Sequence, residues 1–180
     1  MVVNLGKYNI LKKTKTKLGN EVSLIGNENI APNSDISLII GVFHGDEPQG
    51  KFLIEEYLKK YQMALSSTSQ PTYSLLFIPC LNPDGMQLGQ RTNANGVDLN
   101  RNFPTKNWGE NHGDNATCDD EKSAYYGGIS GGSEIETQFL IDTISEFKPN
   151  RILTLHAPYK VVNYDGPAKE LAEKISTIIN

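Results

Sequence analysis

The chain has 180 residues with 17 basic and 21 acidic side chains, and the resulting formal charge of −4 offers no basic surface for nucleic acid. No stretch approaches the roughly 18 apolar residues of a membrane span, and the N-terminus lacks the apolar core of a secretory signal. The two distant cysteines, Cys80 and Cys118, are typical of free thiols in a reducing compartment, so we expect a cytoplasmic protein, or a periplasmic one if the native N-terminus differs.

We expect a single domain, residues 1–180, that begins with β structure. Two short strands are predicted at residues 8–13 and 21–26, and the Leu-Gly-Asn turn between them would join them into a hairpin. Residues 36–43 then form a short, continuous apolar run rich in β-branched side chains. That pattern predicts a strand whose two faces are both covered by other parts of the protein.

A helix is predicted over residues 47–65, and Pro48 suits its first turn. Apolar side chains recur in it at helical spacing, namely Phe52, Leu53, Tyr57, Leu58 and Tyr61. A second buried strand is predicted at residues 73–80. The following segment, residues 86–132, shows no regular pattern, and irregular stretches of that length inside a domain tend to be functional.

Regular structure returns with a helix predicted over residues 133–147, where Ser133 and Glu136 have the spacing of a capping box. A third strand is predicted at residues 151–157, and residues 161–179 have the pattern of a short strand, a turn and a final helix. Since strands alternate with helices, the expected fold class is α/β, with a mixed, largely parallel sheet flanked by helices.

Side chains with metal-binding chemistry follow two of the predicted strands. His44 and Glu47 come directly after the first buried strand, and His156 follows the third. Ligand sites in open α/β sheets lie where strands end, and a catalytic zinc site typically uses three protein ligands and one open position. In isolation, His44 would more simply cap a turn, with Glu47 facing a helix N-terminus. The second histidine at a strand end favours the metal site.

The irregular segment contains a second unusual group of side chains, Arg91, Asn100 and Arg101. Two guanidinium groups and an amide suit the binding of a carboxylate and of a developing oxyanion. On composition alone, a solvated loop whose arginines pair with nearby acids explains the same residues. Two aspartates are interpreted structurally: Asp98 would orient this loop, and Asp84 would hold a turn or bond a ligand imidazole.

These pieces occur in an order that resembles the zinc carboxypeptidase family, also called the carboxypeptidase A superfamily. The matching motifs are His-Gly-Asp-Glu-Pro (44–48), Asn-Pro-Asp-Gly (82–85), Arg91, Gly-Val-Asp-Leu-Asn-Arg-Asn-Phe-Pro (96–104), Ser-Glu-x-Glu-Thr (133–137) and Leu-His (155–156). The ordered set is far more specific than any one motif. Within the family, residues 91–104 and 156–168 look most like the bacterial branch of murein peptide amidases and D,L-carboxypeptidases, which trim cell-wall peptides.

The resemblance implies a role for each matched residue. One zinc ion would be held by His44, Glu47 and His156. Arg91 would polarise the scissile carbonyl and stabilise its oxyanion, while Asn100 and Arg101 would bind a substrate carboxylate. In the murein branch that carboxylate belongs to the terminal diaminopimelate. The implied reaction is therefore zinc-dependent hydrolysis of a γ-D-glutamyl-diaminopimelate bond in a short peptide.

One expected part of the family pattern is missing from this sequence. In the family, a glutamate on a late strand, well after the last zinc ligand, acts as general base. The acids that follow His156 here are Asp165, Glu170 and Glu173, and the last two fall in the predicted final helix. We therefore expect the chain to match roughly the N-terminal two-thirds of the family's catalytic domain. Because general base catalysis typically contributes 10²–10⁴-fold, we expect slow or absent turnover.

Two other functions share parts of the pattern. The aspartoacylase and succinylglutamate desuccinylase group has a His-Gly-x-Glu start and an Asp-Leu-Asn-Arg loop, and it hydrolyses the amide of N-acyl amino acids. The Gly-Val-Asp-Leu-Asn-Arg-Asn-Phe-Pro run (96–104) and the Tyr-Asp-Gly-Pro-Ala run (164–168) favour the peptidase. A non-catalytic zinc- or peptide-binding remnant is the third hypothesis, and it follows from the missing glutamate.

Overall fold

The computed structural model describes residues 8–27, 30, 35–64, 73–109, 125–159 and 161–179. The strands in these ranges are β1 (Tyr8–Lys15), β2 (Glu21–Asn27), β3 (Asp35–Gly41), β4 (Tyr73–Ile78) and β5 (Arg151–Leu155). The α-helices are α1 (Gln49–Ala64), α2 (Pro83–Leu88), α3 (Ile135–Phe147) and α4 (Lys169–Ile179). No helix among them combines the length and apolar character needed to cross a membrane.

The five strands form one mixed sheet in the order β1-β2-β4-β3-β5. β3 runs parallel to both of its neighbours, β4 and β5, whereas β1 and β2 form an antiparallel hairpin that joins the sheet through β4. The predicted α/β class, the mixed sheet and the N-terminal hairpin are therefore confirmed. The parallel part brings the C-terminal ends of β3 and β5 to the same edge, which is where both candidate metal-binding histidines follow.

The central strands β3 and β4 are covered on both faces, as their continuous apolar runs predicted, whereas most residues of β5 are exposed. One cluster joins the sheet to α3 through Leu38, Leu76 and Phe139, and a second joins it to α1 through Ile54 and Phe77. The helix α1, however, is not rotated as its apolar spacing predicted. Ile54 and Leu58 are buried, whereas Phe52 and Leu53 are 63% and 57% exposed. Tyr57 packs at the margin against the ring of Phe77, and the side chain of Tyr61 lies outside the described part.

Three expectations about the connecting segments are wrong. The segment predicted to be irregular includes the end of α2 and a 3₁₀ turn, Leu99–Arg101; its residues 110–124, with Cys118, lie outside the described ranges. Ser133 does not begin a capping box, because α3 starts at Ile135 and the Ser133 hydroxyl donates to the neighbouring Glu134 carboxylate. Residues 161–165 form no strand.

The tip of the β1–β2 hairpin is tied to α2 by the buried carboxylate of Asp84. It accepts hydrogen bonds from the Thr16 hydroxyl, the Leu18 backbone N–H at 3.0 Å and the Asn20 amide at 2.8 Å. Asp84 therefore has the structural role that the sequence allowed, and it holds the hairpin rather than a ligand imidazole. Nearby, Cys80 is a free thiol as expected, and burial raises its pKa to about 12.

A glutamine at position 136 should stabilise the fold at neutral pH. Glu136 is buried in α3, and burial, followed by the charges of Glu134 and Asp84, raises its pKa despite a hydrogen bond from Asn93. The native state therefore retains this proton at a pH where the unfolded chain has released it, so the wild-type free energy of unfolding falls as the pH rises above the ordinary carboxyl range. Glu136→Gln removes that loss.

Thermal unfolding at about pH 4 and about pH 7.5, on either side of the ordinary glutamate pKa, checks this expectation. The midpoint of Glu136→Gln should exceed that of the wild type at the higher pH, and the difference should shrink at the lower one. Asp142→Asn, which neutralises an exposed carboxyl on the same helix, is the matched control and should show no such pH dependence. An equal shift at both values would contradict the assignment.

Candidate metal centre

The turn after β3 places His44 at the end of the sheet. The chain leaves the strand through Val42, whose positive φ of 55° is unusual for a β-branched residue and holds the turn in a left-handed conformation. Gly45 then packs directly on the backbone of Gly85, where a Cβ would overlap the carbonyl carbon, so only glycine fits. Its N–H donates to the carbonyl of Arg91 at 3.2 Å. The turn carrying His44 is therefore joined to α2 and to the arginine-containing segment.

Two buried asparagines shape the segment that carries Arg91. The Asn82 amide donates to the carbonyls of Phe43 and Arg91, at 3.2 and 3.3 Å, and its oxygen caps α2. Further along, the side-chain oxygen of Asn93 accepts the backbone N–H groups of Asn95 and Val97, at 3.0 and 3.1 Å. These bonds give an irregular segment a defined path beside His44.

Three side chains converge at the end of β3 and β5. The Nδ1 atom of His44 lies 2.9 Å from Oε1 of Glu47, and the Nδ1 atom of His156 lies 2.9 Å from Oε2 of the same carboxylate. One ligand atom from each of the three residues lies within 4.8 Å of the others. Among the histidine, cysteine, aspartate and glutamate side chains of the described residues, these three are arranged so that they could hold a metal ion.

The charge state of the group suits a metal ion. Burial alone would raise the pKa of Glu47, but the backbone N–H of Ala157 and the two imidazoles outweigh it and hold the pKa below its ordinary value. His44 is buried, whereas the side chain of His156 is 34% exposed, which leaves one side of the group open. Two imidazole nitrogens, one carboxylate and an open side match the donor set of a catalytic zinc site.

The other ring nitrogen of His44 faces a buried aspartate. Its Nε2 atom lies 3.3 Å from Oδ1 of Asp98, within ion-pair distance, and has no partner at full hydrogen-bond geometry within the described residues. Burial alone would raise the pKa of Asp98, but His44 and Arg91 outweigh it and keep the pKa below its ordinary value. A carboxylate in this position fixes the orientation and tautomer of an imidazole that binds metal through Nδ1. This contact was not predicted from the sequence.

Arg91 lies beside the group and is held by the same aspartate. Its Nε and Nη2 atoms lie 3.0 and 2.9 Å from Oδ2 of Asp98, and Nη1 lies 3.4 Å from Nδ1 of His44. The pairing of an arginine with a nearby acid was the simpler reading of this loop, and it is present. In this pairing Nη1 of Arg91 still lies beside His44, so the pairing is compatible with the role that the family resemblance implies.

Asn100 and Arg101 lie on the 3₁₀ turn that follows Asp98. Oδ1 of Asp98 caps this turn by accepting the Asn100 N–H at 2.9 Å, which is the loop-orienting role expected of it. The side chain of Asn100 is exposed, and Nη1 of Arg101 donates to the Asn100 carbonyl at 3.1 Å. No carboxylate of the described residues lies within ion-pair distance of Arg101, and its buried Nε has no hydrogen-bond partner among them. This cation is therefore available to a ligand.

The three acids after His156 are not part of the group that could hold a metal ion. Asp165 is exposed in an irregular segment, while Glu170 and Glu173 lie on the exposed side of α4. Within that helix, Glu170 pairs with Lys174 at 2.7 Å, and Glu173 lies 3.8 Å from Lys169. The final helix was predicted, and it carries both glutamates as expected.

Comparisons with known proteins show which family of proteins this chain resembles in sequence and in structure. A profile described as zinc carboxypeptidase matches residues 12–174. Murein peptide amidase A of Escherichia coli K12 is 35% identical over 146 residues, which cover 79% of this chain and 57% of the amidase. The murein-tripeptide amidase of Escherichia coli O157 superposes with a TM-score of 0.59 at 31% identity, covering 88% of this chain and 66% of that one.

More distant structures share the fold alone. Carboxypeptidase A from Helicoverpa armigera superposes with a TM-score of 0.69 at 20% identity, covering 93% of this chain and 46% of the other. This chain spans little more than half the length of the curated amidase that it matches. The match to the family profile nevertheless extends over nearly the whole sequence and includes all three residues of the metal group. The chain therefore belongs to the zinc carboxypeptidase family.

Proposed function

We propose that this chain binds one zinc ion through His44, Glu47 and His156 and acts in the hydrolysis of a short peptide with a terminal carboxylate. The observation that carries the proposal is the convergence of both Nδ1 atoms on the Glu47 carboxylate, each at 2.9 Å. The similarity to murein peptide amidases supports a murein peptide as substrate, with the γ-D-glutamyl-diaminopimelate bond as the bond that is cleaved.

The neighbouring residues provide electrostatic support for acyl transfer. A zinc ion held there would supply Lewis acidity and lower the pKa of a bound water. Arg91 presents N–H donors beside the metal ligands, where they can stabilise the oxyanion that develops on the scissile carbonyl. Since Asp98 holds the Arg91 fork and also faces His44, the oxyanion donor and a metal ligand are positioned by one buried carboxylate.

Substrate orientation is assigned to Asn100 and Arg101. Arg101 has no carboxylate partner among the described residues, and Asn100 next to it is exposed. A guanidinium fork beside an amide suits a planar carboxylate, which would be the terminal carboxylate of the peptide. This arrangement selects a substrate that ends close to the bond that is cleaved.

The proposal assigns none of the described residues to proton transfer. Glu170 and Glu173 pair with lysines of their own helix, and Asp165 is exposed. Loss of general base catalysis typically costs 10²–10⁴-fold in rate. We therefore expect this chain to bind zinc and substrate more effectively than it hydrolyses the peptide.

A comparison of two ligands on the zinc-loaded chain tests the proposal. Calorimetry should detect binding of a γ-D-glutamyl-diaminopimelate peptide and no comparable binding of N-acetyl-aspartate. Arg101→Ala should weaken binding of the peptide at least about tenfold, as expected for loss of a charge-assisted contact. The same peptide with its terminal carboxylate amidated is the matched control and should bind to the wild type as weakly as the acid binds to Arg101→Ala.

Each other outcome points to a different function. Preferential binding or hydrolysis of N-acetyl-aspartate would contradict the proposal in favour of an N-acyl amino acid hydrolase. Binding of zinc without either ligand would contradict it in favour of a metal-binding remnant.

A further inference from the structure

One aromatic side chain contacts both arginines of the site. The ring centroid of Tyr125 lies 5.2 Å from Cζ of Arg91 and 5.9 Å from Cζ of Arg101. Both distances are within the range of an attractive cation–π contact. The guanidinium group assigned to the oxyanion and the one assigned to the substrate carboxylate therefore share a single ring.

The backbone around Tyr125 is fixed by the same loop that carries the arginines. The N–H of Asp98 donates to the carbonyl of Tyr126 at 2.8 Å, and Tyr126 itself is buried. The Asn102 amide donates to the Gly127 carbonyl at 2.7 Å. Asp98 thus holds Arg91 through its side chain and, through its backbone, Tyr126, the residue that follows Tyr125.

The two guanidinium groups that contact the Tyr125 ring differ in how their charges are compensated. The Arg91 charge is balanced by Asp98, whereas Arg101 donates to the backbone carbonyl of Asn100 and has no carboxylate partner in the described part of the chain. The negative face of an aromatic ring attracts guanidinium groups and favours their flat stacking. Tyr125, which is 41% exposed, provides such a face.

We infer that Tyr125 is a positioning residue of the carboxylate subsite. Its ring contacts and holds the guanidinium groups of both Arg91 and Arg101, so that the oxyanion and the terminal carboxylate of one short peptide each meet a guanidinium group. The inference rests on the proposed function, because it takes the roles of the two arginines from it. Tyr125 thereby joins Asn100 and Arg101 as a residue that determines specificity for a terminal carboxylate.

Binding measurements on the zinc-loaded chain test the inference. The probe is the γ-D-glutamyl-diaminopimelate peptide, with its amidated form as the control ligand. Two cation–π contacts at a partly exposed site correspond to about a 5–30-fold loss of affinity, so Tyr125→Leu should weaken binding of the acid by that factor. Tyr125→Phe, which keeps the aromatic face, should restore it. Binding of the amide and the zinc stoichiometry should not change in either variant.

A ligand-free measurement detects the stacking itself. Ring-current shifts of the Arg91 and Arg101 side-chain protons should be present in the wild type and in Tyr125→Phe, and absent in Tyr125→Leu. Arg101→Lys leaves Tyr125 in place and keeps the charge but removes the planar group, and it should lose affinity for the acid to a similar extent.

The possible failures are distinguishable. If the wild type prefers the acid over the amide while Tyr125→Leu or Arg101→Lys binds the acid like the wild type, the role of Tyr125 is overturned and the proposed function stands. If the wild type binds acid and amide equally, the proposed carboxylate subsite is wrong and the inference falls with it. Absence of ring-current shifts in the wild type would overturn the stacking directly.

Discussion

Replacing His44 or His156 with alanine should abolish stoichiometric zinc binding. The wild-type chain should bind close to one zinc ion, because two imidazole Nδ1 atoms and the Glu47 carboxylate converge within 4.8 Å. Either substitution leaves two ligands, and loss of a direct ligand should exceed the 10–100-fold that loss of an outer hydrogen-bond partner typically costs. Equilibrium dialysis followed by metal analysis, with a competing chromophoric chelator for the affinity, measures the effect.

The third histidine of the chain provides the matched control. His112 lies outside the described residues, and His112→Ala should keep the wild-type stoichiometry. Thermal unfolding of each metal-free variant separates loss of the site from loss of the fold, and zinc should raise the unfolding midpoint of the wild type but not of His44→Ala. Stoichiometric, tightly bound zinc in His44→Ala would show that the ion is held elsewhere.

The sheet could be predicted because its strands are specified locally. The run that became β3 is continuously apolar, and such a run has few alternatives in a chain of this size. The rotation of α1 was not predictable, since Phe52 and Ile54 are equally apolar and only the position of the sheet decides which of them is buried. The short helix α2 had a local signal, a capping Asn82 followed by proline, but six residues are too few for a helical repeat to show.

The site was predictable to the extent that its residues follow strands. His44 and Glu47 are three residues apart, and His156 follows a strand parallel to the one before His44. The contact of Asp98 with His44 joins residues more than fifty positions apart, and a loop-capping role already explained that aspartate. The stacking of Tyr125 on two arginines likewise depends on how the irregular segment folds back, which no spacing reveals.

Replacing Asp98 with asparagine should weaken zinc binding about 10–100-fold, the range found when a ligand imidazole loses its outer partner. The carboxylate of Asp98 faces Nε2 of His44 at 3.3 Å through one oxygen and holds the Arg91 fork through the other. An asparagine side chain has the same size and retains one acceptor oxygen. Its NH₂ group, however, would face the N–H donors of Arg91 or the ring of His44. His44 then no longer faces a carboxylate, and Arg91 loses the negative charge that holds its guanidinium group.

The loss of the contact with His44 and the loss of the contact with Arg91 are measured separately, so the prediction is specific to a carboxylate that contacts both. Zinc affinity is measured by chelator competition well below the unfolding temperature of the metal-free variant. It should fall in Asp98→Asn. It should stay unchanged in Arg91→Lys, because that variant preserves the contact between Asp98 and His44. Affinity for the γ-D-glutamyl-diaminopimelate peptide should fall in both variants, because each disturbs the Arg91 fork. Asp46→Asn, which changes an exposed carboxylate on the same turn as His44, is the control and should leave zinc affinity at the wild-type value. Wild-type zinc affinity in Asp98→Asn would mean that the turn after β3 orients the imidazole by itself, and Asp98 would then act through Arg91 alone.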